Sequence, residues 1–116
     1  MIKLVKQIRA SGTACYLATE QEQYRAEYMK SVMFNSVFDG YFITADIGYK
    51  KSDHRFFEAA VEQLRRTNPK LDMNDVIFFD DSQSKVDAAK AVGIDGILFD
   101  GIESVTTKLI ATNIPF

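Results

Sequence analysis

Two adjacent carboxylates, Asp80 and Asp81, close the apolar run Val76-Ile77-Phe78-Phe79 and are followed by Ser82. Side by side they repel each other, and at the end of a buried strand that repulsion must be offset by a cation, by hydrogen bonds or by water. A hard divalent cation such as Mg²⁺ suits them, because it takes oxygen ligands and is commonly held by one or two carboxylates together with substrate phosphate. The plainer alternative is that one Asp caps the following helix while its neighbour faces water. Two further groups bear on the choice. Thr19 follows the stretch Ala14-Cys15-Tyr16-Leu17-Ala18, and Lys50-Lys51 lie in the loop after Tyr41-Phe42-Ile43-Thr44. A hydroxyl and an ammonium stabilise negative charge on phosphoryl oxygens, and a metal on the acidic pair polarises the same group. Taken singly, Thr19 reads equally as a helix cap, and either lysine reads more readily as solvated surface. Ser82 fits a helix start better than a site hydroxyl. His54, the only histidine, has no second His or Cys near it in sequence, which argues against a metal-ligand role.

These groups need elements to carry them. Ile2, Val5 and Ile8 recur at helical spacing within Met1 to Ser11, and Gly12 supplies a stop. Thr13 to Thr19 reads as a short strand, and Gln21 to Met33 as a helix with Tyr24, Tyr28 and Val32 on one face. A Phe38-Asp39-Gly40 turn leads to a strand at Tyr41 to Thr44, and Gly48 loosens the loop bearing the lysines. Asp53 can cap a helix whose buried stripe is Phe56, Phe57, Ala60, Val61 and Leu64, ending at Asn68-Pro69. The strand Val76 to Phe79, apolar enough to be buried on both faces, precedes a helix from Ser84 to Val92 in which Ser84 and Asp87 have capping-box spacing. Asp95 to Phe99 is a last strand, and Glu103 to Ala111 a last helix. Strands alternating with helices indicate an α/β fold with a parallel sheet, and no linker or repeat divides residues 1–116 into more than one domain. In such open sheets ligands bind beyond the carboxyl ends of the strands, where Thr19, Lys50-Lys51 and Asp80-Asp81 all fall.

Composition narrows the class of function. At 116 residues the chain can remove roughly two-thirds of its extended surface from water on folding. Its 47% apolar and 26% charged residues are those of a globular protein, which excludes intrinsic disorder. A net charge of −2 without a basic cluster argues against nucleic-acid and membrane-surface partners. The single cysteine, Cys15, has no partner for an intramolecular disulfide and sits in an apolar stretch, consistent with a reducing cytoplasm. No signal-peptide h-region and no apolar window of spanning length is present, so nothing marks export.

Three segments together resemble one family. Tyr16-Leu17-Ala18-Thr19, then Gly48-Tyr49-Lys50-Lys51-Ser52-Asp53-His54-Arg55-Phe56-Phe57, then Phe78-Phe79-Asp80-Asp81-Ser82 with Ala88-Ala89 and Gly93, are similar in order and spacing to the second, third and fourth motifs of the haloacid dehalogenase-like (HAD) hydrolases. The resemblance implies a Rossmann-like three-layer α/β sandwich with a mainly parallel sheet. It also implies roles: Thr19 as the phosphate-binding hydroxyl, Lys51 as the site lysine, Asp80 and Asp81 as the metal-binding pair, and Mg²⁺ as cofactor. Lys51 rather than Lys50 fits the family pattern Gly-x-x-Lys-Pro-Asp-Pro, since Gly48 and Asp53 fix the register. Ser52 and His54 stand where that pattern has prolines, and Lys85 stands where relatives often carry Asn or Asp.

One family feature is missing. Members begin with a strand ending in Asp-x-Asp, whose first carboxylate is the nucleophile and whose second often serves as acid and base. Nothing before Thr19 matches it, and Met1 to Ser11 resembles the helix that precedes the second motif, so the nucleophile strand and cap are expected outside these 116 residues. Ile97-Leu98-Phe99-Asp100-Gly101-Ile102-Glu103 imitates the motif but has Ile102 in place of the second carboxylate, and reads as an ordinary last strand. Since the missing strand is central in the family's sheet, the strands at Thr13 and Val76 must pair directly, leave a gap, or accept a strand from elsewhere, which favours homo-oligomers or strand exchange. The expected function is a Mg²⁺-dependent phosphatase of a small phosphorylated metabolite, in a shortened form inactive alone. The alternative is a non-catalytic HAD-fold binding or interaction module.

Overall fold

The computed structural model describes residues 2–19 and 37–116, arranged in two compact units: Met1–Asp46 with Gly101–Phe116, and Ile47–Asp100. The helix expected over Gln21 to Met33 lies outside the described residues.

In the first unit, α1 (Ile2–Ala10) buries Leu4, Val5 and Ile8, a single helical face. It stops where expected: the Gly12 N–H donates to the Arg9 carbonyl at 3.0 Å, and Gly12 takes φ +103°, a conformation open to glycine. Two short strands follow, β1 (Tyr16–Thr19) and β2 (Gly40–Ile43), paired in parallel with Tyr16 opposite Gly40 and Thr19 opposite Ile43. Glycine at position 40 leaves space for the Tyr16 ring, which a Cβ there would approach to 3.0 Å. An Asp39 clasp ties this corner together. Its carboxylate accepts from Arg9 Nη2 at 2.9 Å and from the Cys15 N–H at 2.7 Å, and its own N–H donates to the Cys15 carbonyl at 2.7 Å. Arg9 Nη1 also donates to the Val37 carbonyl at 2.9 Å. Cys15 is a half-buried free thiol, pushed up from its ordinary pKa by burial and then by Asp39, against the opposing effect of Arg9. The one-turn α2 (Thr44–Ile47) was not foreseen from sequence. The last helix, α5 (Ile102–Ala111), buries Val105 and Leu109.

In the second unit, α3 (His54–Arg65) is capped by Asp53, whose side chain accepts from the Arg55 N–H. It buries Phe56, Phe57, Ala60 and Val61, the stripe expected from spacing, with Leu64 half-buried. β3 (Ile77–Asp80) and β4 (Asp95–Leu98) form the second parallel pair, with Asp80 opposite Leu98. Between them α4 (Gln83–Ala91) packs Val86, Ala88 and Ala89 inward. Edge-to-face contacts join Phe56 to Phe57 at 5.2 Å and Phe57 to Phe78 at 4.7 Å, holding α3 on β3. Two local expectations differ. Ser84 and Asp87 form no capping box, because α4 starts one residue earlier, at Gln83, and the Asp87 carboxylate accepts instead from Gln83 Nε2 at 2.8 Å. Ile77, Phe78 and Phe79 are half-buried, since among the described residues β3 has one ladder neighbour rather than two.

The strands and helices are those of an incomplete Rossmann-like α/β fold, with the described ladders in two parallel pairs, β1 with β2 and β3 with β4.

Candidate functional site

The turn after β3 is built to hold a carboxylate in place. The Phe99 N–H donates to the Asp80 carbonyl at 2.7 Å, extending the β3–β4 ladder past Leu98 and fixing the backbone from which the side chain projects. Asp80 Oδ1 then accepts from the Ser82 N–H at 2.9 Å, a local turn that also directs the chain into α4. Its second oxygen, Oδ2, accepts from Lys51 Nζ at 2.8 Å. Both partners are buried, their side chains 10% and 7% exposed, which is rare for Lys and Asp unless they pair.

The electrostatics follow from this geometry. Burial raises the Asp80 pKa, but the Lys51 and Ser82 hydrogen bonds, the Lys51 charge and Asp81 outweigh it and hold the carboxyl below its ordinary value. Of the cation, hydrogen bonds or water expected to offset the acidic pair, Asp80 is given the first two, by Lys51 and the Ser82 N–H. Asp81 is exposed and is the carboxylate of the pair turned to solvent.

Lys51 comes from the loop between α2 and α3. Gly48 takes φ +90°, and the Asp53 N–H donates to the Lys50 carbonyl at 2.9 Å, a turn with Lys51 inside it. The aliphatic stem carries the ammonium to 6.0 Å from the centre of the Phe78 ring. Lys50 is exposed, whereas Lys51 is buried.

Of the residues singled out in the sequence, Lys51 and Asp80 meet directly and Asp81 adjoins them in the chain. Thr19 is half-buried at the carboxyl end of β1, in the first unit. Ser82 is the residue before α4; its hydroxyl makes no cap bond and lies 3.1 Å from the Ser84 hydroxyl. His54 is exposed, 3.5 Å from Glu58. Asp100 is exposed, two residues beyond β4.

Among the described residues no group of three His, Cys, Asp or Glu side chains is placed to hold a metal ion. The donor set at the turn nevertheless fits a hard cation in kind, since Asp80 and Asp81 offer only carboxylate oxygens and Mg²⁺ characteristically takes one or two of these and completes its shell with water and phosphate. No described helix is long and apolar enough to cross a membrane.

Sequence reading did not single out Arg55 and Tyr49, which flank Lys51. Arg55 Nη2 donates to Asp53 Oδ2 at 2.7 Å, and its guanidinium carbon lies 4.6 Å from the Tyr49 ring centre. Asp53 is held down at a pKa of about 2, first by its side-chain hydrogen bonds from Arg55. The signal was the spacing Tyr49, Asp53, Arg55 around Lys51.

A family model described as haloacid dehalogenase-like hydrolase matches residues 1–99. Among curated proteins, the chain is 29% identical over 98 residues to the sesquiterpene phosphatase astK of Aspergillus oryzae (strain ATCC 42149 / RIB 40), covering 84% of this chain and 47% of that protein. The chain therefore spans about half the length of this relative.

Proposed function

The chain belongs to the haloacid dehalogenase-like hydrolases, and from that premise we propose that it carries the phosphate- and metal-binding half of a Mg²⁺-dependent phosphatase site acting on a small phosphorylated metabolite. The observation that carries the reading is the buried pair of Lys51 Nζ and Asp80 Oδ2 at 2.8 Å, beside the exposed Asp81. A buried lysine stripped of water and oriented by one carboxylate is a preorganised positive charge for phosphoryl oxygens. Asp80 holds it in place. Asp81, with Asp80, would hold Mg²⁺. When bound, that ion polarises the phosphoryl group and offsets the charge that develops on its oxygens.

The relative's name, a sesquiterpene phosphatase, supports phosphatase rather than dehalogenase chemistry here and suggests an apolar phosphate ester as one substrate type. No strand ending in Asp-x-Asp precedes Thr19, so these residues by themselves have no nucleophile for a covalent phosphoryl intermediate and should not turn over. Among the described residues β3 has ladder bonds to β4 alone, and a strand supplied from elsewhere in a longer protein or by a second copy would complete it.

The direct test is hydrolysis of a generic aryl phosphate by the purified chain with Mg²⁺. No turnover is expected. Magnesium-dependent turnover that Asp81→Asn abolishes would overturn the assignment of a half-site. An in-frame Asp-x-Asp strand in the coding sequence upstream of Met1 would support the catalytic reading over a binding module of the same fold.

A further inference from the structure

The loop that delivers Lys51 has little stiffness of its own. It starts at Gly48 and contains no proline before Arg55, so apart from the turn closed by the Asp53 N–H on the Lys50 carbonyl little restricts its backbone. Yet it must place one ammonium against a buried carboxylate. Arg55, in the first turn of α3, touches the loop on both sides of that lysine. Its guanidinium carbon stands 4.6 Å from the ring centre of Tyr49, two residues before Lys51. Its Nε and Nη2 reach the carboxylate of Asp53, two residues after, at 3.1 Å, 3.2 Å and 2.7 Å.

We propose that Arg55 is a positioning residue for Lys51: by stacking on Tyr49 while gripping Asp53, one planar guanidinium closes the loop in the shape that brings Lys51 Nζ to Asp80. The bland alternative is an ornamental surface ion pair, since Arg55 and Tyr49 are both exposed and such pairs generally add little. The cap argues otherwise. Asp53 already has its capping bond from the Arg55 backbone N–H at 3.0 Å, which any residue at position 55 except proline would supply. The side chain is not needed for the cap, and its distinct effect is to join Asp53 to Tyr49 across the lysine. A guanidinium suits this, offering a flat face to the ring and a fork of donors to the carboxylate at once.

The functional meaning of this contact rests on the reading of Lys51 as a phosphate ligand; its geometry does not. The test is therefore made on the full chain without metal or phosphate, by measuring proton exchange of the Lys51 ammonium by ¹⁵N NMR at low temperature. Arg55→Ala and Tyr49→Ala should each exchange about threefold faster or more, the effect expected of losing an exposed cation–π contact. Tyr49→Phe, which keeps the ring, should match the parent. Unchanged protection of the α3 amides serves as the control that the cap survives, and Tyr49→Ala, outside the helix, carries the test if Arg55→Ala perturbs it. An unchanged ammonium rate in Tyr49→Ala, or in Arg55→Ala with α3 intact, overturns the inference. Magnesium and phosphate binding that still requires Asp81 would then leave the phosphatase reading standing.

Discussion

Replacing Lys51 with methionine removes the ammonium while keeping an unbranched, largely apolar side chain among Phe78 and its neighbours, so the change isolates the charge. Asp80 would be left buried, its side chain 7% exposed, with the Ser82 N–H at 2.9 Å still on Oδ1 and nothing in place of Nζ on Oδ2. Breaking a buried pair by removing one partner generally costs about 3–5 kcal/mol. The surviving Ser82 bond, and the option of protonating Asp80, put this case just below that range, at about 2–3 kcal/mol at neutral pH. Asp80→Asn should cost a similar amount, because the amide oxygen keeps the Ser82 bond while its NH2 donor faces the buried Lys51 ammonium. In Lys51→Met/Asp80→Asn the uncompensated charge is gone, and about 1–2 kcal/mol should be recovered relative to the sum of the single changes. Urea denaturation followed by circular dichroism measures the total. Since the chain has two compact units, native-state hydrogen exchange at the β3 amides reads the local effect. A loss below about 0.5 kcal/mol for Lys51→Met, or strict additivity in the cycle, would refute the buried pair.

Acid should act through the same pair. The Asp80 pKa is lowered on folding, so below its ordinary value of 3.8 the unfolded chain takes up the proton first, and stability falls as pH drops through the depressed folded value. Above the ordinary value the contribution is complete, and urea midpoints from pH 2 to 6 should show a slope near the acid end that Asp80→Asn reduces. Gly96→Ala should destabilise by about 1–3 kcal/mol, because its Cβ would lie 2.9 Å from the Val86 carbonyl oxygen and 3.1 Å from Val86 Cγ1, forcing α4 away from β4. Thermal unfolding checks this, and a neutral result would mean that α4 can shift freely. Asp39→Ala removes the acceptor for Arg9 and for the Cys15 N–H together, and should speed modification of the Cys15 thiol by iodoacetamide as the corner loosens. An unchanged rate would show that the clasp does not restrain β1.

Local pattern carried much of this structure. The α3 stripe of Phe56, Phe57, Ala60 and Val61 and the stop at Gly12 are short-range features, set by helical spacing and by glycine at positive φ. The family motif singled out Lys51 rather than Lys50, and Lys51 is the buried one of the two, paired with Asp80. The Asp39 clasp was not, since it joins residues 24 and 30 positions apart and Asp39 alone reads as an ordinary turn residue. The Ser84–Asp87 spacing misled for a related reason: the helix start depends on the Asp80 turn at Ser82, a contact that a local cap pattern does not register. The incomplete burial of β3 reflects a neighbour strand, which spacing along one segment cannot supply.

The most direct measurement is a titration of Mg²⁺, with inorganic phosphate present, into ¹⁵N-labelled chain, following backbone amides by NMR. Saturable shifts confined to Asp80, Asp81 and Ser82, with a change at the Lys51 ammonium, and their loss in Asp81→Asn, are the expected result. No saturable change at that turn, or the same change in Asp81→Asn, would contradict the assignment of Lys51, Asp80 and Asp81 as half of a phosphatase site.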